Sequence, residues 1–352
     1  MADIKGTIIV TGANGGLGSA IVSQILSSPE FSNYHGLYTV RDATSSSAAG
    51  LRNTLSPSSS HQYDIVSLDL TKTDNVRQVA ETINNRVAAG ELPPIRALIL
   101  NAGVNEFDKQ TWTDDGFDTA FASNYLGHWL LTLLLLKSID REAGRIVAVG
   151  SQSHDPYDKR NDAGKAFQDE KWKTILSGDD GNIEAIAKGK WSTKEDDASW
   201  NGGFRRYGAS KLCLVMMIGE LQRRLDQDPQ LSNISVLEVD PGTMSTGGTG
   251  IARNATWFIR VILFGIIFPL IVKLSPNGAV RTPERSAADV LAAAFESGDA
   301  LGQYPKGKHF DGRSPLDPSA ESKDPKKRDQ VWKASLAYTN LSEGETILEN
   351  WK

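Results

Sequence analysis

Five short apolar runs, "GTIIV" (6–10), "GLYTV" (36–40), "DIVSLDL" (64–70), "RALILN" (96–101) and "GRIVAVGS" (144–151), are spaced by stretches of helical periodicity at 16–26, 74–89 and 116–137. A sixth, "ISVLEVD" (234–240), follows a helix that "YGASK" (207–211) opens. Continuous apolar strands between helices predict a parallel sheet covered on both faces. The expected fold is therefore α/β, a doubly wound parallel sheet of Rossmann type, with ligands beyond the carboxyl ends of its strands. A chain of 352 residues is long enough for two domains. The strands form one series, however, and the expectation is a single domain over 1–352.

Several segments break the rhythm. Residues 152–206 hold Trp172, Trp191 and Trp200 without clean periodicity and read as an insertion, partly helical around 163–188. The Ser-rich run 44–61 reads as a helix followed by a surface loop, and 312–352 as a C-terminal extension. Residues 255–272, "ATWFIRVILFGIIFPLIV", are the most apolar stretch, interrupted by Arg260 and Pro269. The stretch falls short of the roughly 20 residues that span a bilayer. A buried or interfacial helix pair is expected, with peripheral membrane contact as the less favoured alternative.

The net charge is −5 and no basic stripe is present, which argues against a nucleic-acid partner. Cys213 is the only cysteine, so an intrachain disulfide and a cysteine-rich metal site are both excluded, and no metal is expected. "MADIKGTIIVTGANGG" lacks the basic start and long apolar run of a signal peptide, which points to the cytoplasm.

"TGANGGLG" (11–18) follows the first strand and opens a helix. Glycines 12, 16 and 18 let backbone approach a phosphate, and a helix N-terminus adds N–H donors and a positive dipole. The strand before and the helix after favour a dinucleotide cradle over a bare tight turn, although the spacing is Gly-x-x-x-Gly-x-Gly. An acidic residue ending the second strand would serve the ribose 2′-OH of NAD, and an arginine the extra phosphate of NADP. "YTVRD" places Arg41 there, favouring NADP, with Asp42 behind it as the NAD alternative. Asp69 in "LDL" (68–70) is placed to meet the adenine. In "NAG" (101–103), Asn101 and Gly103 let backbone run close to the cofactor.

TGANGGLG, NAG, Asn124 in "SNYLGHWLLT", Ser151 in "VAVGS", YGASK and "PG" (241–242) stand in the order found in the short-chain dehydrogenase/reductase family. The chain resembles that family over about residues 5–310. "RIVAVGSQSH", "YGASKLCLVMMIGELQRRL" and the leucine-rich helix 126–136 look most like its retinol-dehydrogenase and protochlorophyllide-reductase branch. That resemblance implies NADPH and a bulky apolar substrate, and it permits a homodimer. It assigns catalysis to Asn124, Ser151, Tyr207 and Lys211. Tyr207 would donate the proton, its pKa lowered from about 10 by Lys211 and the oxidised nicotinamide. Ser151 would hydrogen-bond the substrate oxygen, and Asn124 would hold a water joining Lys211 to solvent. The expected cofactor set is Gly12, Asn14, Gly16, Leu17, Gly18, Arg41, Asp69, Leu70, Asn101, Ala102, Gly103, Tyr207, Lys211, Pro241, Gly242, Thr243 and Thr246. One departure stands out, since 56 positions separate Ser151 from Tyr207 where the family usually has a dozen or so.

The function expected is NADPH-dependent interconversion of a carbonyl and an alcohol on a hydrophobic small molecule, reduction being the cellular direction. The alternatives are reduction of a conjugated C=C bond and a non-catalytic dinucleotide-binding sensor or scaffold. His154 near Ser151 invites a Ser–His hydrolase, but no nucleophile-elbow GxSxG is present. Ser153 is the rival to Ser151, and the register after the strand favours Ser151. Residues 243–275 are expected to form an apolar substrate lid hinged at glycines 247, 248 and 250.

Overall fold

A computed structural model describes the chain except at residues 1–3, 57–60, 178–180, 245–256, 258, 275–277, 279, 299–300 and 303. The strands are β1 (Gly6–Val10), β2 (Tyr34–Val40), β3 (Tyr63–Ser67), β4 (Ile95–Leu100), β5 (Arg145–Val149), β6 (Ser235–Asp240), β7 (Thr243–Met244), β8 (Val280–Arg281), β9 (His309–Asp311) and β10 (Ser314–Pro315). Eight of them form one sheet in the order β10-β9-β6-β5-β4-β1-β2-β3. All neighbours in it pair in parallel except β9 and β10. The direction of winding reverses between β1 and β4, and such a switch point opens a crevice at the strand ends.

The helices are α1 (Gly16–Ser27), α2 (Ala49–Leu55), α3 (Thr73–Ala88), α4 (Thr119–Phe121), α5 (Gly127–Leu135), α6 (Gly181–Ala187), α7 (Trp200–Asp226), α8 (Phe268–Leu274), α9 (Pro283–Phe295), α10 (Ala320–Lys323) and α11 (Pro325–Thr339). Alternate strand residues enter opposite cores, as a pleat requires. Leu98, Leu100 and Ile146 pack with α3, α5 and α7, while Ala97, Ile99 and Val147 pack with α1 and α9. In α3 the buried Val76, Val79, Ala80 and Ile83 repeat at helical spacing, Asp74 sits in the first turn and Arg86 in the last. Those charges complement the helix dipole. The sheet and its two helical layers form a single Rossmann-type domain.

Four details depart from expectation. The region 163–188 is helical only at α6, with short 3-10 turns at Lys159–Gly164 and Glu170–Trp172. Asp158 and Asp169 accept backbone N–H bonds at the start of those turns, an arrangement that competes with longer helix. Second, α7 begins at Trp200, capped by Ser199, so YGASK lies two turns inside it. Gly202, Gly203 and Gly208 masked that helix in the sequence. A side chain at 203 would collide with the Phe107 carbonyl and one at 208 with the Ser153 carbonyl, so these glycines serve close packing. Third, β3 stops at Ser67, leaving Asp69 in the following turn, where its Oδ1 accepts from Thr71 N and Oγ1 at 3.0 and 2.7 Å. Fourth, β9 extends the sheet past β6, an addition too short for periodicity to reveal.

The C-terminal region is bound to the core. Trp332 of α11 meets Trp129 of α5 edge-on at 5.2 Å, and Arg77 pairs with Glu345 at 2.7 Å.

Candidate active site

A cavity of about 730 Å³ lies at the carboxyl ends of β1, β2, β4, β5 and β6. Of the expected cofactor residues, all but Thr246 line it, from Gly12 at one end to Thr243 at the other. Thr246 and glycines 247, 248 and 250 lie outside the described residues.

The cradle is built by absence of side chains. Gly12 takes φ +65°, which glycine adopts readily, and a Cβ there would lie 2.8 Å from the Cα of Ala102. A Cβ at Gly18 would collide with the Gly12 carbonyl. Asn101 Nδ2 holds the turn by donating to the carbonyls of Thr11 and Gly12 at 2.8 and 3.2 Å. The first turn of α1 has no acidic residue and Gly15 gives it no side-chain cap, so its N–H groups and positive dipole remain for an anion. A dinucleotide's pyrophosphate fits these groups.

Arg41 is exposed on the cavity wall and makes no hydrogen bond or ion pair among the described residues. Asp42 is engaged, its Oδ1 accepting from Thr44 N and Oγ1 at 2.8 and 2.7 Å. Those bonds hold its carboxyl below the usual range. A cation without a partner among the described residues thus stands beside an acid that is already engaged.

At the far end, Ser151, Tyr207 and Lys211 line the cavity together. Lys211 Nζ donates to the Val149 carbonyl at 2.7 Å and lies 5.6 Å from the Tyr207 ring centroid. Burial pushes the Lys211 ammonium down to about 8, against the pull of Glu238 and Asp240. Burial also pushes the Tyr207 phenol well above its usual range, while a hydrogen bond with Ser151 pulls it down. The lowering expected for Tyr207 is thus not achieved by the protein groups alone, because desolvation outweighs what they offer. Ser153 is fully buried and donates to Ser151 Oγ at 2.9 Å, supporting the residue that faces the cavity. His154 turns away from the Ser151 hydroxyl, donating through Nδ1 to the Ser151 carbonyl at 2.7 Å and accepting from Ser319 N at 3.3 Å. That geometry gives no Ser–His nucleophile.

Asn124 does not line the cavity; it sits behind it, fully buried. It belongs to a π-turn, Ala122–Leu126, between α4 and α5. Its Oδ1 accepts from Val104 N at 2.7 Å, and its Nδ2 donates to the Val104 carbonyl and to Ser210 Oγ, both at 2.9 Å. A Cβ on Gly103 would lie 3.5 Å from Asn124 Oδ1 and 3.8 Å from Lys211 Nζ. The bare glycine therefore puts no side chain against either atom. His128 and Trp129 are fully buried, and His128 Nε2 bonds Thr11 Oγ1 at 2.9 Å.

Sequence reasoning missed Arg160, Asn161, Trp200, Phe204 and Asp240, all of which line the cavity. Arg160 ties the insertion to the sheet, its guanidinium reaching Asp158 at 2.6 Å, Asp240 at 3.0 Å and Asp311 at 3.2 Å. Burial pushes the Asp240 carboxyl up to about 6, with Arg160 the largest opposing influence. An acid directly before the PG pair, at the end of a strand, was the available signal. In the apolar segment a π-helix, Ile259–Ile267, runs into α8. Leu263 and Phe268 line the cavity, while Ile266, Ile267, Leu270, Ile271 and Leu274 are exposed. The described part of this segment is therefore two-faced, with one side on the cavity and the other exposed. Among the described residues no helix is long and apolar enough to cross a membrane.

Comparison with known proteins places these features in context. The family described as short chain dehydrogenase matches residues 6–159. The short-chain dehydrogenase iccH of Talaromyces variabilis is 43% identical, with 99% of each chain covered. Retinol dehydrogenase 13 of Homo sapiens is 30% identical over 95% of this chain and 85% of that protein. Protochlorophyllide reductase of Daucus carota is 27% identical over 96% of this chain and 79% of that protein. Among solved structures, NADPH-bound carbonyl reductase from chicken fatty liver superposes with a TM-score of 0.58 at 16% identity, covering 89% of this chain and 98% of that one.

Proposed function

The chain belongs to the short-chain dehydrogenase/reductase family and is an NAD(P)-dependent oxidoreductase, and from that premise we propose that it uses NADPH to reduce a ketone or aldehyde on a hydrophobic small molecule. The observation that carries this reading is the shared cavity wall of Ser151, Tyr207 and Lys211, facing the glycine cradle across one cleft. The bound nicotinamide supplies the hydride. Tyr207 gives its proton to the substrate oxygen, and Ser151 Oγ holds that oxygen in place. Burial keeps the phenol protonated, the form that donates a proton in reduction, while the Ser151 hydrogen bond offsets part of the burial. Lys211, with its pKa near 8, restores the proton at working pH, and its ammonium would hold the ribose hydroxyls of a bound nicotinamide. Asn124 Oδ1 and Lys211 Nζ both lie near Gly103, and a water held between them would relay protons to Lys211.

Several features support NADPH over NADH. Arg41 has no partner among the described residues, and Asp42 is engaged. The carbonyl reductase from chicken is described as NADPH-bound, and a landomycin ketoreductase of the same fold as NADP-bound. We place the protein in the cytoplasm, acting on small molecules rather than nucleic acid. The test is NADPH consumption against panels of aromatic ketones, enals and retinoids, with product identification. An alcohol product supports the proposal, and a product saturated at carbon transfers the Tyr207 proton to C=C reduction instead. NADPH binding with no turnover on any carbonyl compound would overturn it.

A further inference from the structure

Three aromatic side chains of α7, Trp200, Phe204 and Tyr207, line the cavity at spacings that share one helix face. Their rings follow one another. Trp200 and Phe204 have centroids 5.5 Å apart with planes inclined by 59°, and Phe204 and Tyr207 6.4 Å apart with planes inclined by 32°. The ridge is braced from behind, where Phe167 of the insertion meets Phe204 at 6.0 Å. Trp200 lies against Gly164, where a Cβ would stand 2.8 Å from ring atom Cη2. Any side chain at 164 would displace the indole. Trp200 and Phe204 are nevertheless only half-buried, leaving ring surface for a ligand to cover.

We propose that the Trp200–Phe204 ridge is the substrate-binding wall and selects ketones carried on a flat, conjugated ring system over saturated ones of equal size. This rests on the carbonyl-reduction reading above, because Tyr207 is the last rung and receives the carbonyl oxygen. A planar ring can stack on one of these tilted faces and meet the next edge-on, whereas a puckered saturated ring matches neither contact. The same wall disfavours acids. Arg160, which the insertion brings to the cavity, is already paired with three carboxylates, and Lys211 is bonded to a backbone carbonyl. The substrate is therefore neutral at this end. The ridge is supplied by the insertion and the start of α7, so the shared cofactor motifs carry no information about it.

The test compares two ketones of matched size, 2-acetylnaphthalene and 2-acetyldecalin, with NADPH. The wild type is expected to prefer the naphthyl ketone in kcat/KM by roughly ten-fold. Trp200→Leu and, separately, Phe204→Leu are expected to erase most of that preference through KM, and Trp200→Phe to keep most of it. Calorimetric binding of both ketones to NADP-loaded protein gives the same comparison without turnover. If neither ketone is reduced but the calorimetric preference is present and lost in Trp200→Leu, the wall stands and the carbonyl reading fails. An equal loss for both ketones in both Leu variants, or no loss for either, overturns the wall.

Discussion

Arg160 Nη1 lies 3.0 Å from Asp240 Oδ2, joining a turn of the insertion to the carboxyl end of a central strand. The Asp240 side chain is 1% exposed and that of Arg160 27%, so the carboxylate depends on this cation far more than the cation depends on it. Asp240 has a folded-state pKa of about 6, above the roughly 3.9 of an unfolded aspartate. Its contribution to stability is therefore full below pH ~4 and is lost as pH rises through 6. Removing Arg160 should raise that pKa further. Arg160→Met is expected to destabilise the fold by roughly 2–4 kcal/mol at pH 8, less than for a fully buried pair. At pH 5, where Asp240 takes up a proton, the deficit should shrink, and adding Asp240→Asn should recover much of it at pH 8. Thermal melts at the two pH values check this, and equal deficits would show that the pair carries no such linkage.

Tyr207→Phe should abolish turnover and leave NADPH affinity nearly unchanged, because the ring remains and only the proton donor goes. Lys211→Ala should lose both rate and cofactor affinity. With the Lys211 pKa near 8, kcat/KM for reduction should hold below pH 8 and decline above it. Steady-state kinetics over pH 6–10 with cofactor titrations measure all three, and a near-wild-type rate in Tyr207→Phe would refute the mechanism.

Arg41→Ala should weaken NADPH binding far more than NADH binding. A charge-assisted contact to phosphate contributes roughly 1.5–3 kcal/mol, or about one to two decades in affinity. Calorimetry with both cofactors decides it; equal weakening would mean that Arg41 does not read the 2′-phosphate.

The two faces of the apolar segment should respond differently. Leu263→Gln or Phe268→Gln puts an amide into the cavity wall and should raise KM for apolar ketones several-fold. Leu270→Gln with Leu274→Gln alters side chains 54% and 76% exposed and should leave kcat/KM within about twofold. Co-sedimentation with vesicles, lost in the second pair only, would identify the outer face as a membrane contact.

Much of this site is readable from local spacing. Gly12 and Gly18 act through backbone geometry within one turn, and Tyr207 and Lys211 through one helical repeat, so their types and separations suffice. Trp200 and Arg160 were not readable, because they reach the cavity through an insertion whose path follows from capping aspartates and close-packed glycines rather than from periodicity. The start of α7 was hidden for the same reason, since Gly202, Gly203 and Gly208 lower helix propensity while enabling contact with Phe107 and Ser153. Asp240 stood in view beside the PG pair, but its shared cation with Asp311 required knowing that β9 brings Asp311 alongside, and three residues of strand leave no pattern to detect.

The π-turn at Ala122–Leu126 gives the site an unusual kind of dependence, on how many residues there are rather than which. A helix advances about 100° per residue, so loss of one amino acid before Asn124 would restore a regular spiral and rotate what precedes α5 by that angle. Mass, charge and apolar content would scarcely change. Yet the amide of Asn124 could no longer face Val104 and Ser210 while α5 kept its place in the core. Three nucleotides deleted in frame would thus uncouple scaffold from chemistry, and aligning a distant relative through this segment demands a gap placed to the residue.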